Sequence, residues 1–120
     1  MESSLTKLTI PQLESFLMEW ISEAEEKGNE WAAKKSLYES IDDKKKPMIA
    51  TLMDKFEGSN PTKESKALSH PEYMKFLNGL SAARENYYLT QVGYDMAKLK
   101  VDAIRTVISA RKEEIKRFKA

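Results

Sequence analysis

Eight cations carry the strongest chemical signal in this chain: Arg105, Arg111, Lys112, Lys116 and Arg117 towards its end, and Lys44, Lys45 and Lys46 in its middle. Placed on a helix, Lys98, Arg105, Lys112 and Lys116 share one broad face, at steps of seven, seven and four residues. Arg111, Arg117 and Lys119 extend that face at the tip. Clusters of this kind neutralise phosphates and give weak, salt-sensitive, sequence-nonspecific binding to nucleic acid. The competing reading is a solvated face that balances Glu113, Glu114 and an acidic N-terminal stretch. Single-strand platforms also need exposed aromatics among the cations. Phe118 and Tyr88 are the candidates, because both fall off the apolar seam described below or at its end.

Catalysis has no such signal. The single histidine, His70, stands beside Pro71 at a helix start. As a general base it would need a positioned partner, whereas as a capping residue it needs none. Asp42 and Asp43 suggest a divalent cation, but neighbours on a helix diverge by about 100° and no further carboxylate recurs at ligand spacing. There is no glycine-rich phosphate loop, no H-E-x-x-H and no nucleophile elbow. The expectation is a protein that is not an enzyme, with no catalytic residue, no metal and no cofactor. Cysteine is absent, so disulfides and thiolate metal sites are excluded.

The cations must be positioned by helices. From Tyr73, every seventh residue is apolar or aromatic: Leu80, Tyr87, Tyr94, Val101, Ile108 and Ile115. Three residues after each come Phe76, Ala83, Thr90, Ala97, Ile104, Arg111 and Phe118. This heptad predicts one long helix over 70–119 whose seam is buried against other helices. Ser69 is the expected cap, with Pro71 in the first turn and Glu72 completing the box. Large residues facing Ala83, Thr90 and Ala97 suit interdigitated packing. Arg111 breaks the seam and marks where the helix leaves its intramolecular partner.

Upstream, residues 1–8 read as a frayed lead, and Thr9 with Gln12 fits a capping box ahead of Pro11. An amphipathic helix over 9–27 carries Leu13, Phe16, Leu17, Trp20, Ile21 and Ala24 on one face. Gly28-Asn29 reads as a short break. A second helix over 30–57 follows, kinked at Pro47, because Ile41 and Met48 keep one phase across it. Residues 58–69 read as a connection in which Glu64 to Leu68 hold a helical turn. The fold class is therefore all-α: an elongated antiparallel helical hairpin or bundle, one domain over 1–120, with a broken N-terminal arm packed along the long helix. A helix of fifty residues would be about 75 Å long.

Charged residues make up 32% and apolar residues 41%, which suits a solvated helical protein. The net charge of +1 hides an asymmetry: residues 1–30 hold seven glutamates against two lysines, and residues 98–120 hold eight basic residues against three acids. The two ends attract each other, within or between subunits, or the basic end meets an anionic partner. No signal peptide or membrane span is read, so the expected location is cytoplasmic.

The run His70-Pro71-Glu72-Tyr73-x-x-Phe76-Leu77-x-Gly79-Leu80-x-x-Ala83-Arg84, followed by Val92-x-Tyr94 and Arg111, resembles a group of small helical proteins encoded by tailed phages and prophages. Upstream, Lys34-x-x-x-Tyr38-x-x-x-Asp42-x-x-Lys45 and Ala50-x-Leu52-Met53 are similar too, so the resemblance covers roughly residues 30–112. These are packing positions of modest specificity, and Pro47 departs from the pattern. The resemblance implies neighbourhood with phage recombination and replication, in the cytoplasm of a host cell. By analogy of type alone, phage recombination mediators are also small, helical and self-assembling, and bind single-stranded DNA with a recombinase.

Three readings follow. In the first, the chain is a homo-oligomeric accessory protein of DNA recombination or replication that binds single-stranded DNA weakly through its basic helix end, alongside a recombinase or other protein. In the second it is a protein-interaction module, an inhibitor or adaptor of a host protein. In the third it is a structural coiled-coil scaffold. None involves a membrane.

Overall fold

The computed structural model describes Leu5 and residues 7–119, the side chain of Lys119 excepted. Among these residues the regular structure is entirely α-helical: α1 (Ile10–Asp42), α2 (Lys45–Met53), α3 (Asn60–Leu68) and α4 (Pro71–Lys119). The protein is all-α, with one 49-residue C-terminal helix and an N-terminal arm that bends after α1. The chain forms two compact units. One takes the residues up to Glu30 and those from Thr90 onward; the other is Trp31–Leu89.

In the first unit, α1 and α4 run antiparallel. Leu13 packs on Ile104 and Ile108, and Glu23 reaches Lys100, while Gly28 lies under Tyr94. Leu13 and Ile104 are fully buried, with Leu8, Leu17, Trp20 and Val107 packed around them. Apolar burial of such side chains contributes about 1.5–3 kcal/mol each. The helix start is built as the capping box requires: the Thr9 N–H donates to Gln12 Oε1 at 2.9 Å and the Gln12 N–H to Thr9 Oγ1 at 3.3 Å. The expected frayed lead is corrected where it is described. Leu5 is buried in this core and Leu8 packs on it; Met1–Ser4 and Thr6 lie outside the described residues.

The expected break at Gly28-Asn29 does not occur, since α1 is one helix of 33 residues. A Cβ on Gly28 would stand 3.0 Å from Tyr94 Cε1. The glycine is there for the ring across from it, and it leaves the helical hydrogen bonds unbroken.

The kink expected at Pro47 is corrected as well. The chain breaks earlier, at Asp43-Lys44, where the Lys44 N–H bonds Ile41 O at 3.0 Å in a tightened last turn. Proline lacks an N–H and its ring clashes with the carbonyl four residues back, here that of Asp43. As the third residue of α2, Pro47 needs no donor. A second helix over 30–57 is therefore replaced by the end of α1, α2 and a loop.

The expected connection over 58–69 holds α3, nine residues started by Pro61 in its first turn. Gly58 precedes it at φ 121°, a left-handed conformation that favours glycine. Leu52 of α2, Ala67 of α3 and Tyr73 of α4 form the core of the second unit, with Met48, Ile49, Met53, Phe76 and Leu77 against it. Higher in the same unit, Tyr87 stacks on Tyr38 at 5.7 Å and on Trp31 at 6.5 Å.

Ser69 is not the cap of α4. Its hydroxyl donates back to Ser65 O at 2.7 Å, and His70 caps instead, its Nδ1 accepting the Glu72 N–H at 3.1 Å.

Candidate functional site

Five of the eight candidate phosphate contacts lie on the last third of α4, in the first unit. Arg111 is half-buried, and its Nη1 donates to Leu8 O at 2.8 Å. The residue that interrupts the seam thus closes it, by tying the chain ahead of α1 to α4. Lys112 pairs with Glu14 at 3.4 Å and Lys116 with Glu113 at 3.6 Å. Arg105 borders a shallow groove of about 300 Å³ with Ile21, Ala24, Glu25, Tyr94 and Asp102. Arg117 is exposed and forms no ion pair among the described residues. Lys44, Lys45 and Lys46 belong to the second unit, at the break between α1 and α2, and are likewise exposed without ion pairs there.

The acidic face of α1 and the basic face of α4 meet in the first unit. Besides Glu14–Lys112, Lys100 lies 3.5 Å from Glu23 with its ammonium 4.4 Å from the centre of the Trp20 ring. Lys98 sits over Tyr94 at 4.5 Å and pairs with Asp95 at 3.4 Å. Exposed pairs of this kind contribute about 0–1 kcal/mol each. They lower the positive potential of the face that a phosphate would meet.

In the second unit, the Arg84 Nε–H donates to the Tyr38 hydroxyl at 3.2 Å, and its guanidinium lies 5.5 Å from the centre of that ring. The hydrogen bond from Arg84 to Tyr38 raises the arginine pKa above its ordinary value. Tyr88 leaves the seam as expected, 54% exposed, with its ring 5.1 Å from that of Tyr87. Phe118 is 91% exposed.

A feature not read from the sequence lies on the other side of α4. Val92, Met96 and Leu99 are all more than half exposed. The same three–four step continues to Ala103, Thr106 and Ala110, all exposed. The inner seam, with Ala97, Val101, Ile104 and Ile108, lies about half a turn away. In its first-unit part α4 therefore carries two heptad faces, one covered by α1 and one facing solvent. The signal is present in the sequence as a second periodic series, masked because the inner seam already accounts for a long helix.

His70 acts as a helix cap. Asp42 and Asp43 are exposed at the end of α1 and the turn after it. Among the described residues no group of three His, Asp or Glu side chains is placed to hold a metal ion, and no helix is long and apolar enough to cross a membrane. Set against protein-family models, curated proteins and solved structures, the chain matches none.

Proposed function

We propose that the chain is a non-enzymatic helical association module that works through the outer face of α4. The observation that carries this reading is the exposed heptad series of Val92, Met96 and Leu99, continued by small residues. A helix that has buried one seam and still presents a second is built to pack on another helix. This supports the scaffold and adaptor readings of the sequence. The test is mass in solution, by light scattering, for the chain and for Met96→Lys with Leu99→Lys. The chain should exceed its monomer mass of 13.8 kDa, and the variant should fall to it with unchanged helical circular dichroism. Equal masses for the two at micromolar concentration would overturn the reading.

A second reading keeps the link to phage DNA recombination or replication. What favours it is that Lys44, Lys45, Lys46 and Arg117 are exposed and form no ion pair among the described residues. In this reading the protein, associated through α4, binds single-stranded DNA weakly beside a recombinase. A labelled oligonucleotide should bind at low salt and lose affinity steeply as salt rises. Replacing all three lysines by alanine should weaken binding more than replacing Lys112 and Lys116, which have carboxylate partners. No shift at low salt would end this reading.

A further inference from the structure

We propose that the outer face of α4 is occupied by the same face of a second copy, with the two α4 helices parallel and in register. The inference rests on the association reading above and names its partner. In heptad terms Met96, Ala103 and Ala110 take one core position, and Val92, Leu99 and Thr106 the other. Within the first unit the series spans Val92 to Ala110, about 27 Å of helix.

The flanking charges choose the partner and its direction. Asp95 and Asp102 line one border of the face, and Lys100 lies on the other. In a parallel pair the residue before the first core position, as Asp95 is before Met96, faces the residue five further along in the partner, which follows the second core position. Asp95 then meets Lys100 of the second copy, and the two-fold axis repeats the contact. In an antiparallel pair each border meets itself, so aspartate faces aspartate. Like charges brought together are disfavoured by about as much as opposite charges are favoured.

Lys100 already contacts Glu23 and the Trp20 ring on the inner side. Its ammonium has three donors, so it can serve the outer partner too. The net charge of +1 sets no long-range repulsion between copies. Parallel pairing also sets Val92, Met96 and Leu99 on their own counterparts, which gathers the apolar burial at one end. The small residues let the helices close together at the other.

Cysteine is absent from the chain, so single cysteines report the geometry cleanly. Val92→Cys, Ala110→Cys and, off the face, Arg105→Cys would each be oxidised alone, and the first two also as a mixture. A parallel, in-register pair brings each of the first two within disulfide reach of its own copy, roughly 4.4–6.8 Å between Cα atoms. Both should cross-link alone and Arg105→Cys should not. Cross-linking of Val92→Cys with Ala110→Cys only in the mixture would overturn the parallel register and leave association standing. No cross-link in any sample, with the protein monomeric by light scattering, would overturn both. Asp95→Lys should raise the dimer dissociation constant by about fivefold through two lost pairs. An unchanged constant would remove the charge argument.

Discussion

The two units solve one packing problem with different side chains. In the first, aliphatic residues (Leu13, Val101, Ile104 and Ile108) form the seam, and opposite charges from α1 and α4 edge it. In the second, aromatic residues do much of that work: Trp31, Tyr38 and Tyr87 stack, and Tyr73 sits with Leu52 and Ala67 under the short helices α2 and α3. Aliphatic seams tolerate a helix with charged edges, because the ion pairs lie outside the core. Aromatic stacks carry polar handles at their rim, as the Tyr38 hydroxyl does in accepting from the exposed Arg84. The difference suggests a division of labour. The second unit depends on a few large contacts, and the first leaves α4 regular enough to present an outer face.

The largest test of this contrast is Ile104→Ala. Ile104 is fully buried, and truncation should cost about 2–5 kcal/mol by removing its contacts and leaving a cavity. Trp20 lies in the first unit and Trp31 in the second, so single-tryptophan variants followed through urea unfolding report the two separately. If the units are independent, Ile104→Ala shifts the Trp20 transition alone; coincident shifts would show that they unfold together. Next comes Tyr87→Ala, which removes a ring stacked on both Tyr38 and Trp31. It should cost about 3 kcal/mol, read at Trp31.

Arg111→Met should follow, at about 1–3 kcal/mol. It keeps much of the aliphatic bulk but removes the charge-assisted bond to Leu8 O, and thermal melts would show the loss. If Arg111 serves phosphate alone, the melt should not move. Gly28→Val should cost about 1–3 kcal/mol by forcing the Tyr94 ring aside, although valine forms helix slightly better than glycine. Were the glycine a mere weak point in α1, the substitution would stabilise. The smallest effect is expected for Lys112→Ala. Its pair with Glu14 is about half exposed on both sides, so the change should stay near 0.5 kcal/mol and vanish in high salt.

The long helix was legible because seven filled heptad positions and a Pro-Glu start agree with each other. Its seam was legible up to Ile108; Ile115 and Phe118 continue the pattern in the sequence but not in the burial, being 39% and 91% exposed. The continuity of α1 was also written in the chain. Leu17, Ala24, Trp31 and Tyr38 step by seven straight across Gly28. Reading glycine by its local propensity hid this, because the reason for the glycine is a ring 66 residues away in sequence. The capping error at Ser69 has the same form: its hydroxyl found a nearer acceptor on α3, a helix too polar to announce itself. The basic residues were visible as charges. The pairs within α4, Lys98 with Asp95 and Lys116 with Glu113, follow from spacing; that Lys100 and Lys112 find Glu23 and Glu14 depends on how α1 and α4 align, and composition does not hold that.

The notch at Gly28 bears on that alignment. A seam repeating every seven residues is nearly degenerate, since sliding one helix by a heptad sets apolar rows on apolar rows again. Gly28 removes the degeneracy. Shift α1 by seven residues and the Tyr94 ring meets Ile21, where there is no room left by a missing side chain. The ring and its notch act as a key and keyway, and they let two repetitive helices settle in one register.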